Sequence, residues 1–155
     1  MCLYVDDLIF TGNNEMMFNS FKQSMMKEFD MTDLGRMRYF LGLEVFQRAD
    51  GIFICQRKYA QEVLQRFNMA DCNVVFNPII PGFKLVKEST STAVNNTLYM
   101  QIIGSLMYLT STRPDIIFVV NMLSRHLTHP TEIHLQAVKK VLRYIKCTLA
   151  YGIFY

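Results

Sequence analysis

The chain has 155 residues, and 16 Lys plus Arg against 13 Asp plus Glu give a formal net charge of +3. Apolar residues make up 51% and charged residues 19%, which excludes a disordered chain. An excess of three positive charges is too small to argue nucleic-acid binding by itself.

Cys2 to Val5 and Leu8 to Thr11 are β-prone and flank Asp6-Asp7, which predicts two short strands around a tight turn. Gly12-Asn13-Asn14 is punctuation, and either asparagine suits a helix N-cap. Glu15 to Phe29 reads as a helix, with Phe18, Phe21, Met25 and Phe29 at helical steps forming one buried stripe. Tyr39 to Arg48 reads as a strand with Leu41, Leu43 and Val45 on one face. Asp50-Gly51 marks a hairpin turn, and Ile52 to Gln56 returns as the partner strand. Lys58 to Phe67 reads as a short helix with Tyr59, Val63, Leu64 and Phe67 on one side.

Met69 to Asn96 carries Pro78, Pro81, Gly82 and the polar run Glu88 to Thr92, and reads as a loop. Three helices follow. Thr97 to Thr110 places Leu98, Ile102, Leu106 and Leu109 on one face. Pro114 opens the next helix, Asp115 to Leu127, which is apolar nearly all round and so expected at the centre. Thr131 is placed to cap Glu132 to Cys147, whose Val138, Val141, Leu142 and Ile145 face inward. Its other side gathers Lys139, Lys140, Arg143 and Lys146. Tyr151 to Tyr155 looks like the start of a strand.

The fold class is therefore α+β and mainly helical, a small antiparallel part followed by a helical bundle. The expected segments are 1–70, a linker at 71–96, the bundle at 97–150 and a strand start at 151–155. The densest apolar run, Ile116 to Leu123, is far short of a membrane span of about 20 residues. The N-terminus lacks the basic start and longer apolar stretch of a signal peptide.

Tyr4-Val5-Asp6-Asp7 is the sharpest motif. Adjacent carboxylates at a turn between apolar strands call for a compensating cation, and Mg²⁺ prefers such oxygen ligands. Paired ions of this kind drive phosphoryl transfer. The plain alternative is that Asp-Asp simply favours a turn. Cys2, Cys55, Cys72 and Cys147 form no C-x-x-C pair and read as reduced, small core residues. His126, His129 and His134 are not completed by a metal-ligand set, and read as helix C-cap or surface residues.

Leu3-Tyr4-Val5-Asp6-Asp7-Leu8-Ile9-Phe10-Thr11-Gly12 resembles the catalytic hairpin of copia-type retrotransposon reverse transcriptases. Later segments resemble the same family in the same order: Phe29 to Gly35, Tyr39 to Val45, Gly51 to Gln56, Gly104 to Thr110, Thr112 to Ile116, Leu123 to Arg125 and Val141 to Lys146. The resemblance implies that Asp6 and Asp7 are the catalytic, Mg²⁺-binding aspartates of the palm. It implies that the hairpin around Tyr39 to Gln56 steadies the primer terminus, and that Tyr4, Leu41 and Gly42 touch nucleic acid. The helices after the linker match the thumb and connection, and Tyr151 to Tyr155 the lead-in to a ribonuclease H domain. Implied partners are an RNA template, a DNA primer, and the fingers, remaining palm and ribonuclease H portions of the same polyprotein.

The sequence also departs from the family. Only three residues precede Tyr4, so the palm's third aspartate, expected well upstream, is absent. Met100, Leu135 and Cys147 stand where the family leads one to expect arginine, tryptophan and glycine. This chain alone is thus expected not to polymerise DNA. Lys139, Lys140, Arg143 and Lys146 either track a nucleic-acid backbone or form a solvated helix face, and Arg36, Arg38 and Arg48 pose the same choice. The alternatives to a polymerase fragment are a non-catalytic module that binds nucleic acid or protein, and a functionless genomic remnant.

Overall fold

The computed structural model describes residues 1–79 and 94–155, so the Pro81-Gly82 pair and the polar run of the linker lie outside the described residues. Contacts divide the chain into two units, Met1–Met37 and Arg38–Tyr155.

In the first unit, β1 (Cys2–Tyr4) and β2 (Asp7–Ile9) pair antiparallel, with Tyr4 opposite Asp7 and Cys2 opposite Ile9. Helix α1 (Glu15–Glu28) is capped by Asn14, whose side-chain oxygen accepts from the Met16 and Met17 amides at 3.0 and 3.1 Å. Phe10 packs on the helix, its ring centroid 4.4 Å from Phe18 and 5.1 Å from Phe21. The expected stripe is nevertheless not buried. Phe21 and Met25 are half-buried, while Phe18 and Phe29 are exposed. One hairpin and one helix have too little facing surface to close a core.

The second unit begins with β3 (Tyr39–Phe40) and β4 (Leu43–Arg48), joined by a turn at Leu41-Gly42. The single strand expected from Tyr39 to Arg48 is therefore two. Leu41 sits in the turn with φ 47° and Gly42 with φ 78°, the double positive φ of a type I′ hairpin. Strand β5 (Gly51–Cys55) pairs with β4, Arg48 opposite Gly51, so that turn falls at Ala49-Asp50, one residue earlier than expected. Helix α2 (Arg57–Arg66) follows. Its first turn is capped from β4, where Glu44 Oε1 accepts from the Lys58 amide at 2.8 Å.

Helices α3 (Asn96–Leu109), α4 (Pro114–Ser124) and α5 (Glu132–Cys147) pack with α2 around the main core. Val63, Ile103, Leu106, Val120, Val138 and Leu142 are fully buried there. Tyr99 is buried too, donating its hydroxyl to the Leu123 carbonyl at 2.9 Å, and burial pushes its pKa up to about 12. It takes the inward place expected of Leu98, which is exposed. Helix α4 is not central all round: Ile116, Val119, Val120 and Leu123 are buried, but Ile117 and Phe118 are exposed. Its described neighbours α3 and α5 cover only one side.

Strand β6 (Gly152–Phe154) closes the unit by pairing antiparallel with β5, giving the order β3-β4-β5-β6. Ile52 and Tyr155 exchange backbone bonds of 2.9 Å in both directions. The hairpin β4–β5 and the three C-terminal helices thus share one unit with β6. Among the described residues, the mixture of five helices and small antiparallel sheets is the α+β class read from the sequence. Among the described residues no helix is long and apolar enough to cross a membrane.

Candidate catalytic hairpin and nucleic-acid interface

Val5 and Asp6 form the two-residue turn between β1 and β2, and Asp7 opens β2. Val5 has φ 49°, a left-handed value that is costly for a β-branched side chain. Such strain clusters where a turn must present particular groups. Here it presents Asp6 and Asp7, both exposed, beside Tyr4, which is also exposed. Among the described residues no group of three His, Cys, Asp or Glu side chains is placed to hold a metal ion. Two carboxylates on a solvent-exposed turn do not by themselves fit a two-ion centre, which needs more ligands and a fixed geometry.

The Leu41-Gly42 turn belongs to the second unit and is held from α3. The Tyr108 hydroxyl donates to the Leu41 carbonyl. The Tyr108 ring also meets Tyr59 edge-on, centroids 4.9 Å apart at 85°. On the other arm, Lys58 Nζ lies 5.4 Å over the Tyr39 ring.

The four basic residues of α5 do not share one environment. Arg143 Nε donates to the Asn73 carbonyl at 2.6 Å, and Lys146 Nζ donates to the Cys72 carbonyl at 2.8 Å. Both are half-buried and anchor the segment that leaves α2. Lys140 is half-buried beside a cavity of about 170 Å³ lined also by Ile79, Val119 and Met122. Lys139 is exposed.

The segment Thr112-Arg113-Pro114-Asp115 makes a buried polar junction that the sequence left without a role. Arg113 is 3% exposed and bonds Asp115 twice, the Thr148 carbonyl at 3.1 Å and Thr148 Oγ1 at 2.6 Å. Tyr144 donates its hydroxyl to Asp115 Oδ2 at 2.9 Å. Gln56 Oε1 accepts from Ser111 Oγ at 3.1 Å and Thr112 Oγ1 at 2.9 Å, tying the sheet to the α3–α4 corner. The only advance signal was a cluster of polar types at a helix junction.

Two further expectations are corrected. His134 is fully buried, not a surface or C-cap residue: it accepts the Thr131 amide on Nδ1 at 3.0 Å, completing a capping box. Its ring stacks on His126, centroids 4.0 Å apart. All four cysteines are free, but only Cys55 is buried; Cys2 is exposed and Cys72 and Cys147 are intermediate.

Residues 1–81 match the family described as reverse transcriptase (RNA-dependent DNA polymerase), and the chain belongs to that family. It is 40% identical over 154 residues to the retrovirus-related Pol polyprotein from transposon RE1 of Arabidopsis thaliana, covering 99% of this chain and 10% of that protein. It is 36% identical to the retrovirus-related Pol polyprotein from transposon TNT 1-94 of Nicotiana tabacum, over 96% of this chain and 12% of that protein. A protein named as an uncharacterized mitochondrial protein of Arabidopsis thaliana is 36% identical, over 99% of this chain and 64% of its own length. The chain thus spans about a tenth of the Pol polyproteins that it matches. No solved structure matches it.

Proposed function

We propose that these 155 residues supply the catalytic hairpin and the primer-contacting part of an RNA-directed DNA polymerase of the copia type. The observation that carries this reading is the Tyr4-Val5-Asp6-Asp7 turn, strained at Val5 and exposing both carboxylates, in a chain of the reverse transcriptase family. Asp6 and Asp7 offer carboxylates to Mg²⁺, together with acidic groups from outside these 155 residues. Leu41 and Gly42 lie against the primer. Tyr4 and the exposed Lys139 make further nucleic-acid contacts, whereas Arg143 and Lys146 serve mainly the anchoring of the segment around Cys72 and Asn73.

The experiment replaces the matching segment of the TNT 1-94 Pol polyprotein with residues 1–155 and assays Mg²⁺-dependent extension of a DNA primer on an RNA template. The expected result is extension by the chimera, loss of it in Asp6→Asn or Asp7→Asn, and none from the isolated chain. A chimera that extends equally well with both aspartates replaced would overturn the reading.

A further inference from the structure

We infer that Tyr108 is the positioning residue of the Leu41-Gly42 turn, fixing where that turn meets nucleic acid; this rests on the proposed primer contact. Leu41 has φ 47° and Gly42 φ 78°. A leucine in the left-handed region is held there only when its surroundings over-determine it. Leu41 is itself exposed, so burial of its side chain does not supply the hold. The Tyr108 hydroxyl supplies it, donating to the Leu41 carbonyl across 67 residues of sequence.

The fit beneath the turn is close. A Cβ added at Gly42 would stand 3.4 Å from both Cε1 and the hydroxyl oxygen of Tyr108. Glycine is required there by its positive φ, and an added Cβ would only touch the ring. Tyr59 on α2 braces the same ring edge-on. Tyr108 stands on α3 between Leu106 and Leu109, which are 0% and 1% exposed. The turn is thereby registered to the helical core and not only to its own two strands. Tyr108 itself is 41% exposed, so its hydroxyl does little for the core. That combination, an exposed side chain spent on the carbonyl of an exposed turn, marks positioning and not packing.

The test compares Tyr108→Phe, which removes only the hydroxyl, and Tyr108→Leu, which also removes the ring. Three quantities are read on the 155-residue chain: thermal melting, amide hydrogen exchange over residues 39–44, and affinity for a labelled DNA primer recessed on an RNA template. We expect Tyr108→Phe to lower the melting temperature by no more than about 2–4 °C, the worth of one net hydrogen bond. Its exchange in the turn should accelerate about fivefold, and its primer–template affinity should fall about fivefold, the worth of one net hydrogen bond. Tyr108→Leu should go further in both. Unchanged exchange in both variants overturns the positioning role, whatever the affinities. A fall in melting temperature well beyond about 4 °C, with exchange faster over the whole unit, also overturns it, in favour of a structural role. Faster exchange at the turn in a chain whose wild type binds no primer–template upholds the positioning and instead removes the primer contact.

Discussion

Arg113 and Asp115 meet through two parallel hydrogen bonds, Nε to Oδ1 at 2.9 Å and Nη2 to Oδ2 at 2.7 Å. The pair stands on either side of Pro114, the first residue of α4, so the helix start and the ion pair are one device. Thr148 bonds the same guanidinium, and the rings of Tyr144 and Tyr151 lie 5.7 and 5.4 Å from it. The junction thereby locks the start of α4 to the end of α5. Removing the arginine leaves a partly buried carboxylate without its cation. Arg113→Met should therefore cost about 1–3 kcal/mol, since the partly accessible Asp115 carboxylate regains water, read by urea denaturation. Arg113→Met with Asp115→Leu should recover part of that loss, because no lone charge remains.

Acid should act on the same pair. Burial pushes the Asp115 carboxyl up, but the hydrogen bonds and charge of Arg113, with the Tyr144 hydroxyl, outweigh it and hold the carboxyl below its ordinary value of 3.8. A carboxyl depressed in the folded state contributes stability that is present above the ordinary value and lost as pH falls through the folded one. Melting temperature should thus drop as pH is lowered from 4 downward, and drop less steeply in the Arg113→Met variant. Equal slopes would mean that other carboxylates dominate.

His134 gives a second pH window of the opposite chemical type. Burial lowers its pKa below 6.5, and the neighbouring His126 charge lowers it further. Its neutral form is the one that fits, accepting the Thr131 amide on Nδ1. The unfolded chain then binds more protons than the folded one below pH 6.5, so stability should fall as pH drops from that value through the folded pKa. A melting series from pH 7.5 to 5 reads it. His126→Ala should make the fall smaller and end it at a higher pH, since without the like charge the folded His134 pKa moves back toward its ordinary value. A series as flat as that of His134→Gln would remove the idea.

Local signals were legible where local physics decides. Thr131 and the apolar spacing of Val138, Val141, Leu142 and Ile145 place α5 at the residues where it lies, because a cap and a helical stripe are short-range. The first hairpin was legible for the same reason, one residue off: its turn falls at Val5-Asp6 and Asp7 opens β2, where the sequence placed the turn at Asp6-Asp7. The Leu41-Gly42 turn was not, since leucine is a poor match for positive φ and its hold comes from Tyr108 on α3. The exposure of Phe118 was not legible either. Apolar type marks a side chain as burial-prone but does not say which side a neighbour covers. Arg143 and Lys146 read as a solvent-facing row because their acceptors, the carbonyls of Asn73 and Cys72, are about 70 residues away in sequence.

Gly152 tests the closure of the sheet. A Cβ there would collide with the Ile54 carbonyl oxygen and stand 2.8 Å from the Phe53 ring and from Cys55 Cβ. The carbonyl is backbone of the neighbouring strand and cannot rotate away. Gly152→Ala should cost about 1–3 kcal/mol, the usual penalty of overpacking. The loss should appear as β6 releasing from β5, read by faster amide exchange at Ile52 and Tyr155, which pair in the wild type. Gly104, which has nothing within 4 Å of its added Cβ and lies in α3, is the control. Gly104→Ala should be neutral or stabilising by up to about 1 kcal/mol.

The basic face of α5 separates anchoring from binding. Lys139 is exposed, whereas Arg143 and Lys146 are half-buried and spend donors on Asn73 and Cys72. A cation that meets only phosphate contributes through released counterions, so deleting it reduces the salt slope of binding by about one without changing the fold. Lys139→Ala should do this in a titration of the chain with single-stranded RNA across salt, and leave the melting temperature as it was. Arg143→Ala should lower the melting temperature and speed amide exchange around Cys72 and Asn73, because it frees a carbonyl and loosens the segment after α2. Its effect on the salt slope should be smaller than that of Lys139→Ala. If Arg143→Ala changes the slope by a full unit and leaves the melting temperature untouched, the anchoring role is wrong and the whole row faces nucleic acid. If neither variant changes the slope, Lys139 and Arg143 make no backbone contact, and binding must be sought elsewhere, first at the Leu41-Gly42 turn.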